Sequence, residues 1–358
     1  MDRVSHSRVR QRHPRGDRLT RVDAPSPEER AAWLGRLGSH ETHRRVVAEL
    51  PCFRQVALRG ADSPAPLTGW VRVGAWNVLR GRRPDALAST LASAGVQLGL
   101  LSELDDGMAR TRNVDTTDVL AGGLGFASAF GVEFVELGLG DETEQEQAAG
   151  QSNDRGLHGN AIISASSLDD PAVVRLPDVG AGWFAVDSSQ PRVGGRMAVV
   201  ATVVIDGVPV QVASTHLENR TTAEHRAEQL EVVLRGIDAR DASGPAIVGG
   251  DFNTLGADID VLLDRAVVRA LREDEPWRFT WPVVYEPLFE VARAHGFVWT
   301  DANVAAPTMD HAWAGLPDLV PMRLDWLLVR GLVARRPAVV PAGGLSDHHL
   351  VTTGVHLP

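Results

Sequence analysis

The sequence predicts an α/β protein with mixed β-sheet pairing and helices on the outside. Three observations support this prediction. Apolar runs of strand length recur along the chain, helix-capping signals occur between them, and two of the runs meet at an Asp-Gly turn. Strands that alternate with helices, together with a hairpin, indicate a mixed sheet that is covered by helices.

The N-terminal part predicts a tail and a helical extension before the main domain. Residues 1–24 are polar and rich in arginine, so we expect a flexible tail. A helix is expected to begin after Ser26, because Glu29 completes a capping box with it. The extension with its Gly- and Pro-rich linker covers 25–68, and the main domain covers 69–358.

The main domain begins with a strand, a helix and a second strand. Residues 71–76 alternate between apolar and other side chains, which predicts a strand. Pro84 is suited to a first helical position and Gly95 to a helix end. Residues 96–101 predict a buried strand. The acidic stretch 138–155 has few apolar residues and predicts an exposed, disordered loop.

A hairpin and a long helix are expected further along the chain. Residues 198–215 form two apolar runs around Asp206 and Gly207, a strong hairpin signal. Thr221 and Glu224 then predict a capping box at the start of an amphipathic helix.

Polar side chains recur where the predicted strands end. Residues 246–250 are followed by Asp251 and Asn253, and residues two apart in a strand face the same side. An acid beside an amide suits water activation, although a simple turn has the same composition. Repetition favours a site, because distant strand ends gather at ligand sites of α/β folds. The other polar residues at strand ends are Asn77, Glu103, His216, Asp347 and His348.

The composition excludes several classes of protein. All 36 basic residues are arginine, and without lysine there can be no P-loop and no Schiff-base chemistry. The single cysteine, Cys52, excludes an internal disulfide and a multi-cysteine zinc site. The net charge of -10 argues against tight, sequence-independent binding of nucleic acid, but it does not exclude a nuclease. No secretion signal or membrane-spanning run is evident, so we expect a cytoplasmic protein without stable membrane insertion.

Seven ordered motifs resemble those of the endonuclease/exonuclease/phosphatase superfamily over residues 69–358. This group includes DNase I-like nucleases, neutral sphingomyelinases, inositol polyphosphate 5-phosphatases and deadenylases. The resemblance implies a four-layer α/β/β/α sandwich with two packed mixed sheets. The motifs are Trp76-Asn77, Ser102-Glu103, His158-Gly159-Asn160-Ala161, Thr215-His216-Leu217, Gly250-Asp251-Phe252-Asn253, Arg323-Leu324-Asp325-Trp326 and Ser346-Asp347-His348.

A divalent cation is expected at the acidic strand ends. Hard cations such as Mg²⁺, or alternatively Mn²⁺, prefer carboxylate oxygens. The resemblance implies that Glu103 is the principal metal ligand and that Asn77 lies beside it. Asp347 is a candidate for a second metal position.

The remaining motif residues have expected roles in hydrolysis. Asp251 would orient or deprotonate water, and Asn253 would fix Asp251 or a phosphoryl oxygen. His348 would face the phosphate, either protonated as an electrostatic clamp or neutral as a base, with Asp325 as the partner that orients it. His216 would be a second cation or hydrogen-bond donor.

The predicted function is metal-dependent hydrolysis of a phosphate ester by in-line attack of water, as in a phosphodiesterase or a nuclease. Asn160, and with a weaker signal His158, would contact the substrate phosphate. The substrate could be a nucleic acid, a nucleotide, a phospholipid headgroup or a small molecule. Three alternatives stay open, namely a phosphomonoesterase, a lipid phosphodiesterase and an inactive binding module with the same fold.

Overall fold

In the computed structural model, the apolar runs of the sequence form two mixed β-sheets. The predicted tail lies outside the described residues as far as residue 18, and short stretches elsewhere lie outside them too. The structure describes residues 19–178, 181–186, 188–258, 261, 264–309 and 321–358.

The first sheet contains strands from both ends of the chain. Its strands are β1 (Val56–Arg59), β2 (Val71–Asn77), β3 (Leu98–Asp106), β4 (Ala127–Glu136), β5 (Leu157–Ser164), β7 (Arg192–Gly194), β12 (Val333–Val340) and β13 (Leu350–His356). They follow the order β1-β4-β5-β3-β2-β13-β12, and β7 pairs with β4. The pair β2 and β3 is parallel, whereas the other pairs are antiparallel.

The second sheet is built around the predicted hairpin. It contains β6 (Asp169–Arg175), β8 (Met197–Ile205), β9 (Val208–His216), β10 (Ala246–Asp251) and β11 (Asp325–Arg330), in the order β11-β10-β9-β8-β6. The hairpin between β8 and β9 turns at Asp206 and Gly207, which both have positive φ as this tight turn requires. The pair β9 and β10 is parallel.

Helices cover the outer faces of both sheets. They are α1 (Pro27–Leu34), α2 (His40–Glu49), α3 (Pro84–Ser93), α4 (Thr116–Leu124), α5 (Glu142–Gln147), α6 (Ala223–Arg240), α7 (Arg265–Asp274), α8 (Trp277–Thr280) and α9 (Leu288–Ala294). Short 3₁₀ helices occupy Pro51–Phe53, Leu79–Gly81, Ala109–Thr111, Ala181–Phe184 and Pro282–Val284.

Two helix starts were predicted from capping boxes, and one of them was placed correctly. Ser26 and Glu29 form the predicted capping box of α1. The prediction that Thr221 caps α6 is wrong, because Thr222 accepts the hydrogen bond from the His225 backbone instead. Two adjacent threonines made the sequence signal ambiguous by one residue.

The main core lies between the two sheets, as the predicted sandwich requires. Val73 and Leu100 of the first sheet share one buried cluster with Val199, Val212 and Ile247 of the second. Separate buried clusters fill the space between each sheet and its helices. The predicted α/β fold with two packed mixed sheets is therefore confirmed.

The stretch 138–155 is largely exposed as predicted, but the prediction of a disordered loop is wrong, because this stretch contains α5. Asp141 caps the helix in a capping box with Glu144. Only 1% of the Glu144 side chain is exposed, and it binds Arg82 and Arg110. The acidic composition of this stretch led us to expect a solvated Glu144. Arginines elsewhere in the chain neutralise it instead.

The extension packs against the main domain. Its strand β1 pairs with β4, and the side chains of Cys52 and Phe53 are buried in the same cluster as the first sheet's helices. The division at residue 69 stays a prediction about domain organisation. No helix in the described part of the chain has the length and apolar character needed to span a membrane.

Candidate active site

The register of the second sheet brings three predicted site residues side by side. Asp251, at the end of β10, pairs with His216 of β9 on one side and with Asp325 of β11 on the other. In the first sheet, Asn77 at the end of β2 pairs with Ser102 of β3, which places Glu103 one residue beyond. Both sheets therefore contribute polar side chains to one location.

Glu103 occupies an unusual backbone position. Its φ is 62°, and the pairing of β3 with β5 shifts register between Leu101 and Leu104. A bulge of this kind redirects a side chain out of the regular alternation of a strand. The Glu103 Oε2 atom pairs with Arg80, and Oε1 accepts a hydrogen bond from Asn77 Nδ2 at 3.1 Å.

Asn77 links the two sheets through their acids. Its Nδ2 also donates to Asp251 Oδ2 at 3.1 Å, while its Oδ1 accepts from the Leu79 backbone N–H at 3.1 Å. Asn77 is buried and therefore holds both carboxylates in fixed positions. The Asn77 side chain thus orients the two acids, and its Oδ1 atom is hydrogen-bonded within the turn after β2.

Asp251, Asp325 and His348 form a compact buried group. His348 Nδ1 lies 2.8 Å from Asp325 Oδ2, and His348 Nε2 lies 3.7 Å from Asp251 Oδ2. One possible ligand atom from each of the three lies within 4.8 Å of the others. The indole N–H of Trp76 donates to the His348 carbonyl at 2.8 Å, which ties this histidine to β2.

Burial and the neighbouring charges change the protonation of this group. Burial favours the neutral imidazole of His348, but Asp325 and Asp251 outweigh burial and raise the pKa of His348 well above its usual value. Burial, opposed by His348 and reinforced by Asp325, raises the pKa of Asp251 to about 7. A positive His348 thus lies beside an acid that titrates near neutral pH.

His216 is neutral in this environment. Its Nε2 lies 3.4 Å from Asp251 Oδ2. Burial, with a further contribution from the Arg196 guanidinium, lowers the pKa of His216 well below its usual range. Of the two roles predicted for His216, the neutral imidazole supports that of hydrogen-bond donor. Its Nδ1 has no hydrogen-bond partner in the described part of the chain.

Glu103 is ionised despite its position. Burial would raise the pKa of Glu103, but the Arg80 guanidinium, together with the hydrogen bond from Asn77, outweighs burial and lowers this pKa well below its usual value. A negative carboxylate therefore lies at the bulge within β3, one side chain away from Asp251.

Asn253 supports Asp251 through its backbone. The Asn253 N–H donates to Asp251 Oδ1 at 2.9 Å, and its side-chain Nδ2 donates to the Leu217 carbonyl at 2.9 Å. Its φ of 49° lies in the left-handed region, which asparagine tolerates better than most residues. The predicted role of the Asn253 side chain stays a prediction, because the contact with Asp251 comes from the backbone N–H.

His158 and Asn160 lie on β5, between strands β3 and β4. His158 Nδ1 lies 2.7 Å from Asp105 Oδ1, and its ring stacks on Phe134. Asn160 Nδ2 donates to Glu133 Oε2 at 3.3 Å, whereas its buried Oδ1 has no partner among the residues described. Their contact with a phosphate stays a prediction.

Asp347 stands apart from the buried acids. Its side chain is partly exposed, and its Oδ1 accepts from Ser346 Oγ at 3.3 Å. Ser346 also donates to the Asn77 carbonyl at 2.7 Å, so the loop that carries Asp347 is attached to the end of β2. A second metal position at Asp347 stays a prediction.

An arginine network around the site was not predicted from the sequence. Arg80 contacts Glu103, Arg110 binds Asp105, and Arg196 Nη1 lies 2.8 Å from Glu133 Oε1. The available signal was the acids inside the apolar strands β3 and β4, since buried acids are rarely left unpaired. The sequence could not show which of 36 arginines would pair with them.

The donor set suits a hard divalent cation. The carboxylates of Glu103 and Asp251 both accept hydrogen bonds from the side-chain amide of Asn77, so they lie close together. Each carboxylate offers only oxygen atoms as ligands. Mg²⁺ and Mn²⁺ favour such oxygens and are often held by one or two carboxylates. Glu103 is thus the residue that would hold such a cation, and Asp251 lies next to it.

Comparison with known proteins assigns the family. The model of the endonuclease/exonuclease/phosphatase family matches residues 74–348, which include every predicted site residue. The protein belongs to this family. None of the curated proteins matches the chain.

Solved structures of the endonuclease/exonuclease/phosphatase family share the fold. A member from Beutenbergia cavernae is 20% identical with a TM-score of 0.56, and the match covers 81% of this chain and 72% of that chain. The human Nocturnin catalytic domain, solved with a bound sulfate, is 18% identical with a TM-score of 0.51, over 86% and 98% of the two chains. At these identities the likeness establishes the fold alone.

Proposed function

We propose that this member of the endonuclease/exonuclease/phosphatase family is a divalent-metal-dependent phosphoesterase, acting as a phosphodiesterase or a nuclease. The observation that carries the proposal is the position of Asp251. Its carboxylate contacts Asn77 and lies next to both His216 and His348, so one acid faces an amide and two imidazoles. Phosphate ester cleavage needs an oriented water, charge neutralisation and assistance to the leaving oxygen.

The site contains a group for each of these three requirements. Asp251 accepts the proton of the attacking water, because a base with a pKa near 7 works well at neutral pH. His348, kept positive by Asp325, stabilises negative charge on the phosphoryl oxygens. Neutral His216 donates a hydrogen bond to the phosphate or to the leaving oxygen. Mg²⁺ or Mn²⁺, held by Glu103, would add positive charge at the phosphate.

The first test is the replacement of Asp251 by Asn. The variant keeps the shape of the side chain but removes the base, so hydrolysis of bis(4-nitrophenyl) phosphate should fall by at least about 10²-fold. Asp85→Asn, at an exposed position on α3, is the matched control and should keep wild-type activity. Unchanged turnover by the folded Asp251→Asn variant would refute the assigned role.

The same assay tests the metal. Activity should disappear with EDTA and return with Mg²⁺ or Mn²⁺. A wild-type protein that binds the phosphodiester without turning it over under any metal condition would instead support the inactive binding module.

A substrate panel separates the enzyme classes that stay open. An aryl monophosphate tests the phosphomonoesterase, sphingomyelin tests the lipid phosphodiesterase, and single- and double-stranded DNA and RNA test the nuclease. Each assay is run with and without chelator, and the highest kcat/KM identifies the class.

A further inference from the structure

Arg192 is the one partly exposed arginine near the site whose side chain makes no hydrogen bond or ion pair with the described residues. Its Nε is enclosed and unpartnered. Burial, opposed by Glu136 and reinforced by Arg196 and Arg80, lowers the pKa of Arg192 to about 10, so it is still a cation at neutral pH. A cation enclosed without a partner costs free energy, which makes an unused guanidinium here unexpected.

Two buried arginines near the sheets, Arg110 and Arg226, are paired with acids. Arg110 forms two hydrogen bonds with Asp105, and Arg226 forms two with Glu286. Arg323 has no partner in the described part either, but its side chain is fully enclosed and a ligand could not reach it. Arg192 thus combines an unpaired guanidinium with access from solvent.

Aromatic rings hold Arg192 in place. The carbon of its guanidinium lies 4.4 Å from the centre of the Phe134 ring and 4.3 Å from that of Trp183. Trp183 in turn contacts Phe134 edge to face. Stacking of this kind fixes a guanidinium without using its N–H donors, so the donors are left for another group.

The acid opposite Arg192 in the sheet has other contacts through one of its two oxygens. Glu136 is directly opposite Arg192 across β4 and β7, but its Oε2 accepts from Gln190 at 2.6 Å and lies 3.6 Å from Arg110. Glu136 Oε1 is buried and has no hydrogen-bond partner within the described ranges. No ion pair joins Glu136 to Arg192.

The surroundings of Arg192 connect it to the candidate active site. Phe134 stacks against His158 with ring centres 4.4 Å apart. Trp183 also contacts Arg196, which binds Glu133, and Glu133 Oε2 lies 3.9 Å from His216 Nδ1. Arg192 is therefore separated from the histidines of the site by a single layer of side chains.

We propose that Arg192 binds a second anionic group of the substrate, a phosphate next to the one that is cleaved, with Trp183 as the platform that holds the guanidinium. The proposal rests on the proposed function, because it defines which phosphate esters that site prefers. A guanidinium with free donors binds phosphate through two parallel hydrogen bonds. Substrates with two neighbouring phosphates, as in a nucleic acid strand or a nucleoside bisphosphate, fit this arrangement.

The test compares two probes that differ by one phosphate. Thymidine 3′,5′-bisphosphate and thymidine 5′-monophosphate are titrated calorimetrically in the presence of Ca²⁺. The wild type should bind the bisphosphate at least about tenfold more tightly, the size expected for a charged pair of hydrogen bonds. Arg192→Met should reduce this preference to below about twofold, whereas Arg192→Lys, which keeps the charge, should retain part of it.

Arg335→Met is the matched control, because Arg335 also stacks on an indole, that of Trp70, on the exposed strand β12. It should keep the full preference. A second readout is stability, since a purely structural Arg192 would make Arg192→Met unfold at a clearly lower temperature. We expect the melting temperature of Arg192→Met to stay within about 2 °C of wild type, because no ion pair is lost.

Two results would overturn the proposal, namely equal binding of the two probes by the wild type or an unchanged preference in Arg192→Met. Bis(4-nitrophenyl) phosphate carries one phosphate, so its hydrolysis by the wild type tests the proposed function separately from the phosphate site at Arg192. If the wild type does not hydrolyse it but the bisphosphate preference still depends on Arg192, the proposed function fails and the binding site stands.

Discussion

At the residue scale, Asp325 controls the charge of His348. Asp325 Oδ2 lies 2.8 Å from His348 Nδ1, and both side chains are buried. Asp325→Asn keeps the shape but removes the charge that holds His348 positive, so kcat for bis(4-nitrophenyl) phosphate should fall by about 10²-fold or more.

The pH profile distinguishes this electrostatic role from a structural one. In Asp325→Asn the pKa of His348 should fall, so the remaining activity should decline at a lower pH on the alkaline side than in wild type. A variant that loses activity equally at all pH values, with an unchanged profile, would contradict the assignment.

Arg110 is expected to stabilise the fold more than any surface pair. Its guanidinium is 2% exposed, forms two hydrogen bonds with Asp105 and binds Glu144. Arg110→Met leaves buried Asp105 without its arginine and removes one of the arginines around Glu144, so the free energy of unfolding should fall by about 3–5 kcal/mol. Urea denaturation measures the change.

A surface ion pair provides the comparison for Arg110. Arg235 is 74% exposed and pairs with Glu231 one helical turn away. Arg235→Met should change the free energy of unfolding by less than about 1 kcal/mol. Equal effects of the two substitutions would show that the Arg110 network contributes no more than a solvated pair.

Individual site residues could be predicted from the sequence where a single polar residue ends an apolar run. Asp251, His216 and Asn77 each follow an apolar run, and the register brings them together. The partners of buried acids could not be predicted, because pairs such as Arg110 with Glu144 join distant segments and leave no periodic signal.

At the scale of elements, Gly250 allows β9 and β10 to approach closely. Its φ is 136°, and a Cβ atom at this position would lie 1.9 Å from the Thr215 carbonyl oxygen. Gly250→Ala must therefore push the strands apart between Asp251 and His216. We expect kcat/KM for bis(4-nitrophenyl) phosphate to fall by at least about 10²-fold, since misplacements near 1 Å cost that much.

Gly122 in α4 is the matched control for this substitution. A Cβ atom there would meet nothing within 4 Å, and the backbone is helical. Gly122→Ala should keep full activity and raise stability by up to about 1 kcal/mol. If Gly250→Ala is as active as Gly122→Ala, the close approach of the strands does not position the site.

A histidine clamp joins α6 to the end of α9 and should make stability depend on pH. His295 Nδ1 lies 2.6 Å from Asp238, and its Nε2 lies 2.8 Å from Glu231. Partial burial lowers the pKa of His295, but these two acids outweigh it and raise the pKa above the usual value. Arg330 and Arg235 also bind these acids and weaken the clamp.

The sign of the pH effect follows from the raised pKa of His295. Its contribution is fully present below about pH 6.5, the value of an unfolded histidine, and is lost as pH rises through the raised folded value. His295→Gln should therefore lose more stability at pH 6 than at pH 9 in urea denaturation. An equal loss at both values would exclude the clamp.

At the scale of the whole molecule, the sequence was sufficient to predict the layers but not the position of every segment. Strand runs and the Asp206 turn are local features and predicted a mixed sheet covered by helices, and the resemblance carried by the ordered motifs implied two packed sheets. The helix at α5 and the edge strand β1 were missed. Both are stabilised by contacts with distant parts of the chain, namely arginines for α5 and β4 for β1.

The position of β1 leads to a prediction about residues 1–68. Besides pairing β1 with β4, this segment carries Arg30, whose guanidinium donates to the carbonyls of Asn153 and Arg155 at 2.6 and 2.9 Å. Phe53 is fully buried in the cluster beside the first sheet. A variant that begins at Gly69 would expose this cluster and the edge of β4, and such edges promote aggregation.

We expect the variant that begins at Gly69 to lack a cooperative thermal transition and near-ultraviolet circular dichroism. A variant that begins at Leu19 is the control, because it keeps β1 and Arg30, and it should melt within about 3 °C of the full chain. Cooperative melting and full phosphodiesterase activity of the shorter variant would show that residues 69–358 fold alone. The site depends on both sheets, through Asn77 of the first and Asp251 of the second, so loss of the first sheet's edge should remove activity together with folding.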